Sequence, residues 1–148
     1  MPSIYLSPST QEYNLYYDGA GSEEYYMNLI ADAMEPYLTA SGIVFTRNTP
    51  DMTAASSIRA SNAGNYDAHV ALHSNAAPES LSGRLRGIDI YYYPGSERSH
   101  RLADDMVAPR RTLKPRPALE RARPTTSIGE VSRTRAPGGL AARGYHDN

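Results

Sequence analysis

Short apolar or β-branched runs alternate along this chain with segments of helical period, and that alternation narrows the folds open to it. Residues 3–7 (SIYLS) form an apolar run stopped by Pro8, which reads as a buried strand. The polar, turn-rich stretch after it reads as a loop of the kind that carries function. Ser22 then stands where a helix N-cap belongs, with Glu23 and Glu24 in the first turn, where carboxylates meet the positive end of the dipole. Met27, Ile30, Met34 and Leu38 follow at helical spacing, Gly42 supplies a stop, and Pro36 is expected to kink the helix or limit its last turn.

Residues 43–47 (IVFTR) read as a second strand and residues 53–62 as a second helix. In 67–74, Ala68, Val70 and Leu72 alternate with His69, Ala71 and His73, a period of two that marks a strand, and 88–93 (IDIYYY) is the strongest strand of all. A helix is expected over 96–106, and a helix and a last strand within 127–134 and 139–145. Residues 107–124 carry four prolines and no lasting apolar period, so they are expected to be irregular. Strands and helices in alternation predict an α/β domain with a mixed, mainly parallel central sheet flanked by helices.

A chain of 148 residues fits one domain, 1–148, and buries roughly 70% of the surface that its unfolded form exposes. No window approaches a membrane span, and the first residues lack the basic start and apolar run of a secretory signal. With no cysteine, a transition metal would have to be held by histidines and carboxylates. The net charge of −1 hides a split, since residues 1–97 carry eleven Asp/Glu against four Arg and residues 98–148 carry five against ten Arg and one Lys. The basic half has neither interleaved aromatics nor a nucleic-acid motif, so nucleic acid is not the expected partner.

Four residues separate His69 from His73. On a strand the pair shares a face but spans about 13 Å, four steps of about 3.3 Å, which one zinc cannot bridge. On a helix, the pair would still lack the glutamate of H-E-x-x-H, because Val70 follows His69. A single ligand remains, and His73 is the better choice because it falls at the strand's carboxyl end, where open α/β sheets place ligands. His69, mid-strand, reads as packed or as a support to its neighbours.

Taken in order, SEEYYMNLIADAMEPYLTASGI, IVFTRN, Arg59 with Asn62, DAHVALHSNAAP, GIDIYYYP and GYHDN resemble the zinc-dependent N-acetylmuramoyl-L-alanine amidases of bacterial cell walls. The resemblance implies a domain that cuts peptidoglycan at the amide between N-acetylmuramic acid and L-alanine, outside the cell or in the wall. It also implies one zinc held by two His and one Glu, with a further Glu as base. Carried over, the Glu ligand falls on Glu24, four before Asn28, and the second His on His73, with Asn75 of LHSNA a candidate substrate contact. Helical spacing alone puts Glu23 on the Met27-Ile30-Met34 stripe, but the motif register is followed, because a ligand at a helix start need not face the core, and Glu24 is the expected ligand.

Two positions depart from the family pattern. Thr10, or Gln11 with a one-residue shift, stands where the first His belongs, and Ala142 stands where the base belongs. His146, in GYHDN, is the candidate third ligand, and Glu130 is the nearest carboxylate to serve as base. The helix that follows the last strand in the family is expected to be absent. The rival to an amidase is a module of the same fold that binds peptidoglycan or zinc without turnover.

Overall fold

The computed structural model describes residues 2–11, 21–75, 88–113 and 120–145. Among these, six strands form one sheet: β1 (Ser3–Pro8), β2 (Val44–Arg47), β3 (Ala68–Asn75), β4 (Ile88–Tyr92), β5 (Glu120–Pro124) and β6 (Gly138–Tyr145). The strand order is β2-β1-β3-β6-β4-β5. Every pairing is parallel except β4 with β6. Helices α1 (Glu23–Ala40), α2 (Ala54–Ala63), α3 (Glu97–Leu113) and α4 (Gly129–Ser132) complete the domain. The expected mixed, mainly parallel α/β architecture is what the chain adopts.

Ser22 caps α1, its hydroxyl accepting from the Tyr25 N–H at 3.2 Å. Gly42 ends the turn beyond it with φ of +73°, left-handed backbone that costs glycine no Cβ clash. The helix runs four residues past Pro36, which is exposed. Proline inside a helix costs about 3 kcal/mol. Full burial of one large apolar side chain returns about 1.5–3 kcal/mol. Met27 is buried on the sheet, with Ile30, Met34 and Leu38 packed against the same core, so packing outweighs the lost hydrogen bond.

The sheet separates two apolar layers. Met27 and Ala31 of α1 and Ala103 and Val107 of α3 pack with Leu6, Val70, Leu72, Ile90 and Ala141 on one face. On the other, Val131 of α4 packs with Ala71, Leu140 and Ala142. Period-two alternation along β3 therefore puts His69 and His73 on the α4 side.

Residues 107–124 are a correction. Helix α3 continues through Leu113, and 120–124 is a strand paired with β4, so only 114–119 lie outside the described residues. Val107, 3% exposed, anchors the extension. Strand β5 lies at the sheet edge, where one side of the backbone needs no partner, so Pro124 and alternating arginines are tolerated there.

Where β6 begins it passes close under α4. A Cβ built on Gly138 would lie 2.8 Å from the Glu130 carbonyl oxygen and 3.0 Å from Val131 Cα. Both neighbours are backbone, so Gly138→Ala should cost about 1–3 kcal/mol as an overpacking change. Chemical denaturation of the variant beside the parent checks this.

Candidate active site

Parallel strands β1 and β3 end at the same sheet edge, and the N-terminus of α1 arrives there with them. That delivers Glu23 over the end of β3. Its Oε1 accepts the Ser74 N–H at 2.6 Å and lies 3.3 Å from His73 Nδ1, and the side chain is 1% exposed. The other nitrogen of the same ring, Nε2, lies 3.0 Å from Oε2 of Glu130, which α4 presents from the opposite layer.

Glu130 is itself tied down. Its Oε1 lies 3.1 Å from His69 Nε2 and also accepts a hydrogen bond from the Ser7 hydroxyl. Ser7 Oγ accepts in turn from Asn48 Nδ2 at 3.3 Å, and that amide also reaches the Pro8 carbonyl at 3.1 Å and Ser57 Oγ at 3.0 Å. His69 is wholly buried, stacked on Tyr5 with ring centroids 5.4 Å apart, and its Nδ1 has no hydrogen-bond partner. The two histidines thus share one carboxylate.

A neutral imidazole has a single N–H, so it can donate to only one of two flanking carboxylates. His73 has a carboxylate oxygen facing each nitrogen. Burial opposes the charged ring, but hydrogen bonds to Glu130 and Glu23 outweigh it and raise the His73 pKa to about 9. Burial likewise opposes the Glu130 carboxylate, and the two histidines outweigh that and lower its pKa to about 2.

An open groove adjoins this cluster. One part, of about 160 Å³, is lined by Ser7, Thr10, Gln11, Asn48, His73 and Glu130. A second, of about 470 Å³, shares Gln11, His73 and Glu130 and extends past Tyr91, Ile128 and Ala142.

The expected site residues fall out unevenly. His73 lies at the strand end, and Glu23, rather than Glu24, lies against it. Glu24 lines a separate hollow with Asn28, Asp32 and Arg47. The helical stripe explains this, since Glu23 is one turn before Met27 on the face turned to the sheet. Thr10 and Gln11 line the groove beside His73, and Ala142 pairs with His73 across β3 and β6. Glu130 joins the cluster through His73. His146 and the side chain of Asn75 lie outside the described residues. Sequence reasoning misses Ser7, Asn48 and the contact of His69 with Glu130. The alternation of β1 and β3 puts Ser7, His69 and His73 on one side of the sheet, but nothing local points to Glu130, which comes from 57 residues beyond His73.

Whether this donor set suits a zinc ion follows from its spacing. Zinc bonds to His or carboxylate of about 2.0–2.1 Å put tetrahedral neighbours roughly 3.3 Å apart. The 3.3 Å between Glu23 Oε1 and His73 Nδ1 matches that edge. Glu130 sits at the other end of the ring and cannot share the same ion. A catalytic zinc takes three protein ligands, and no group of three metal-ligating side chains converges among the described residues. Glu23 and His73 are two candidate ligands, one fewer than such a site takes.

No protein-family model matches the chain, and a search of curated proteins finds no match. Solved structures do match. The catalytic domain of CwlV, an N-acetylmuramoyl-L-alanine amidase from Bacillus (Paenibacillus) polymyxa var. colistinus, superposes with a TM-score of 0.79 at 16% identity, over 100% of this chain and 83% of the other. An N-acetylmuramoyl-L-alanine amidase from Clostridium difficile 630 gives 0.82 at 14% identity, over 99% and 81%. Ami1, the N-acetylmuramyl-L-alanine amidase from Mycobacterium smegmatis, gives 0.74 at 13%, over 99% and 83%. From β1 to β6 this chain carries the fold of the N-acetylmuramoyl-L-alanine amidase catalytic domains.

Proposed function

We propose that the chain is a peptidoglycan amidase domain, hydrolysing the amide between N-acetylmuramic acid and L-alanine with a zinc ion held by Glu23 and His73. The observation that carries the reading is the 3.3 Å pairing of Glu23 Oε1 with Nδ1 of His73, a residue that lines the groove. The Ser74 N–H orients the Glu23 carboxylate, whose Oε1 a cation would share with His73 Nδ1. What a bound zinc supplies is Lewis acidity toward the scissile carbonyl and a lowered pKa for its water. Thr10 and Gln11 line the wall of the same groove, and His146 is the proposed third ligand.

The site of action is the cell wall, with muramyl peptide as the partner. Among the described residues no helix is long and apolar enough to cross a membrane.

One observation favours a second reading. Ala142 lines the groove beside His73 where the family resemblance calls for a carboxylate base, and a methyl group takes no proton. The same groove would then hold muramyl peptide without turnover. Zinc content of purified protein, followed by hydrolysis of a muramyl dipeptide, separates the two. Metal with hydrolysis supports the amidase, peptide binding without hydrolysis supports the module, and neither metal nor binding refutes both. Within either reading that includes zinc, Glu23→Gln should weaken the metal at least tenfold by competition titration, while Glu24→Gln should leave it within about twofold, because only Glu23 reaches His73.

A further inference from the structure

Along β4, Ile90 points into the core under α1 and α3 and Tyr91 to the α4 side, so parity puts Asp89 on the α4 side with Tyr91. That is the face of the groove. One strand further out, Arg121 and Arg123 of β5 pair in register with Asp89 and Tyr91, while Ala122 between them packs into the opposite core. Arg121 Nε lies 3.4 Å from Asp89 Oδ1, and Arg123 Nη1 lies 3.6 Å from Oδ2. Asp89 is buried and both arginines are half-exposed. A buried carboxylate needs a partner charge, and one guanidinium meets that need. The second is surplus. Both separations exceed the usual hydrogen-bond length of about 3.2 Å or less, so the guanidinium forks keep N–H donors for an acceptor from outside.

The larger part of the groove is lined by His73, Ala142, Tyr91 and Thr125, and Thr125 is the first residue after β5. Register sets His73, Ala142, Asp89 and Arg121 in one row across four strands. Both guanidiniums are drawn back to Asp89, two strands from His73, which is roughly 10 Å at the usual strand spacing. An extended peptide covers that in about three residues. We propose that Arg121 and Arg123, set around Asp89, form an anion subsite beside the β5 end of the groove, taking a carboxylate two to three residues along a ligand whose other end lies at His73. The identity of the ligand, the peptide of a muramyl peptide, rests on the function proposed above, whereas the charge imbalance does not. A planar guanidinium takes such a group through two parallel N–H bonds. Charges on an edge strand also guard it against pairing with other chains, but a guard of that kind has no preference among ligands.

The test titrates isotope-labelled, metal-free full chain with muramyl dipeptide, whose one free carboxylate belongs to its second residue, and with the same compound amidated at that carboxylate. The acid should bind about fivefold more tightly than the amide, as suits a half-exposed pair of guanidinium and carboxylate, and it alone should shift the Arg121 and Arg123 side-chain N–H signals. Arg121→Gln and Arg123→Gln each leave one arginine to neutralise Asp89, so the surplus charge goes and the preference for the acid should fall to within about twofold. Asp89→Asn keeps the shape and releases both arginines, so the preference should widen to about tenfold or more. A merely structural role for the three residues gives no such gain. Equal binding of acid and amide by the parent, a preference that survives both arginine variants, or one that does not widen in Asp89→Asn overturns the subsite and leaves the proposed function standing. If neither compound binds, the function proposed above fails, and glutarate at constant ionic strength decides the subsite alone: arginine shifts that Arg123→Gln removes uphold it, and their absence overturns it. Should a variant not fold, the parent decides by itself, a preference for the acid with both arginine signals shifted upholding the subsite and anything less overturning it.

Discussion

Replacing His73 with alanine should abolish stoichiometric zinc binding, whereas His69→Gln should leave the metal in place. The two histidines lie on the same face of β3, but only His73 has a ring nitrogen beside Glu23, the carboxylate proposed to share the ion, at 3.3 Å. His69 turns Nε2 to Glu130, and the residue is wholly buried with Nδ1 unpartnered. Its glutamine replacement retains a donor toward Glu130, so the effect on the metal is indirect and small. Dialysis against zinc followed by elemental analysis reads both variants at once. Equal metal in the two would place the site elsewhere on the chain.

Restoring a carboxylate by Ala142→Glu should raise muramyl-peptide hydrolysis by about 10²-fold or more, the contribution typical of a positioned general base. Ala142 pairs with His73 across the two central strands and lines the same groove. Its antiparallel neighbour on the other side, Asp89, is buried and already neutralised by Arg121 at 3.4 Å and Arg123 at 3.6 Å, so the new charge meets no bare carboxylate there. Zinc-loaded Ala142→Glu protein that stays inert would favour the binding module. Strong hydrolysis by the unaltered chain would mean that another group already takes the proton.

Strand alternation in 67–74 is enough to put both histidines on one face, because side-chain direction on a strand follows from parity alone, and the strand's carboxyl end is what sets His73 beside Glu23. Helical period likewise puts Glu23 on the Met27 stripe; the family register points to Glu24, and the geometry sides with the stripe. Glu130 is legible in the sequence only as a carboxylate without a place. Its partners lie 57, 61 and 123 residues away, and no local pattern records a contact made across two layers of a fold. The order found within 107–124 escapes the sequence for a different reason. Composition measures whether a segment could bury a face on its own, while Val107 and Ala122 need only add to a core that the rest of the chain has built.

The last strand of the described chain lies in the middle of the sheet, between β3 and β4. Without residues 138–145, β2-β1-β3 and β4-β5 share no strand pairing, and β3 and β4 each lack the neighbour that β6 supplies. Cooperative folding of this domain is therefore postponed until its sixth strand has been made. The nascent chain spends its growth with open strand edges of the kind that pair with other chains.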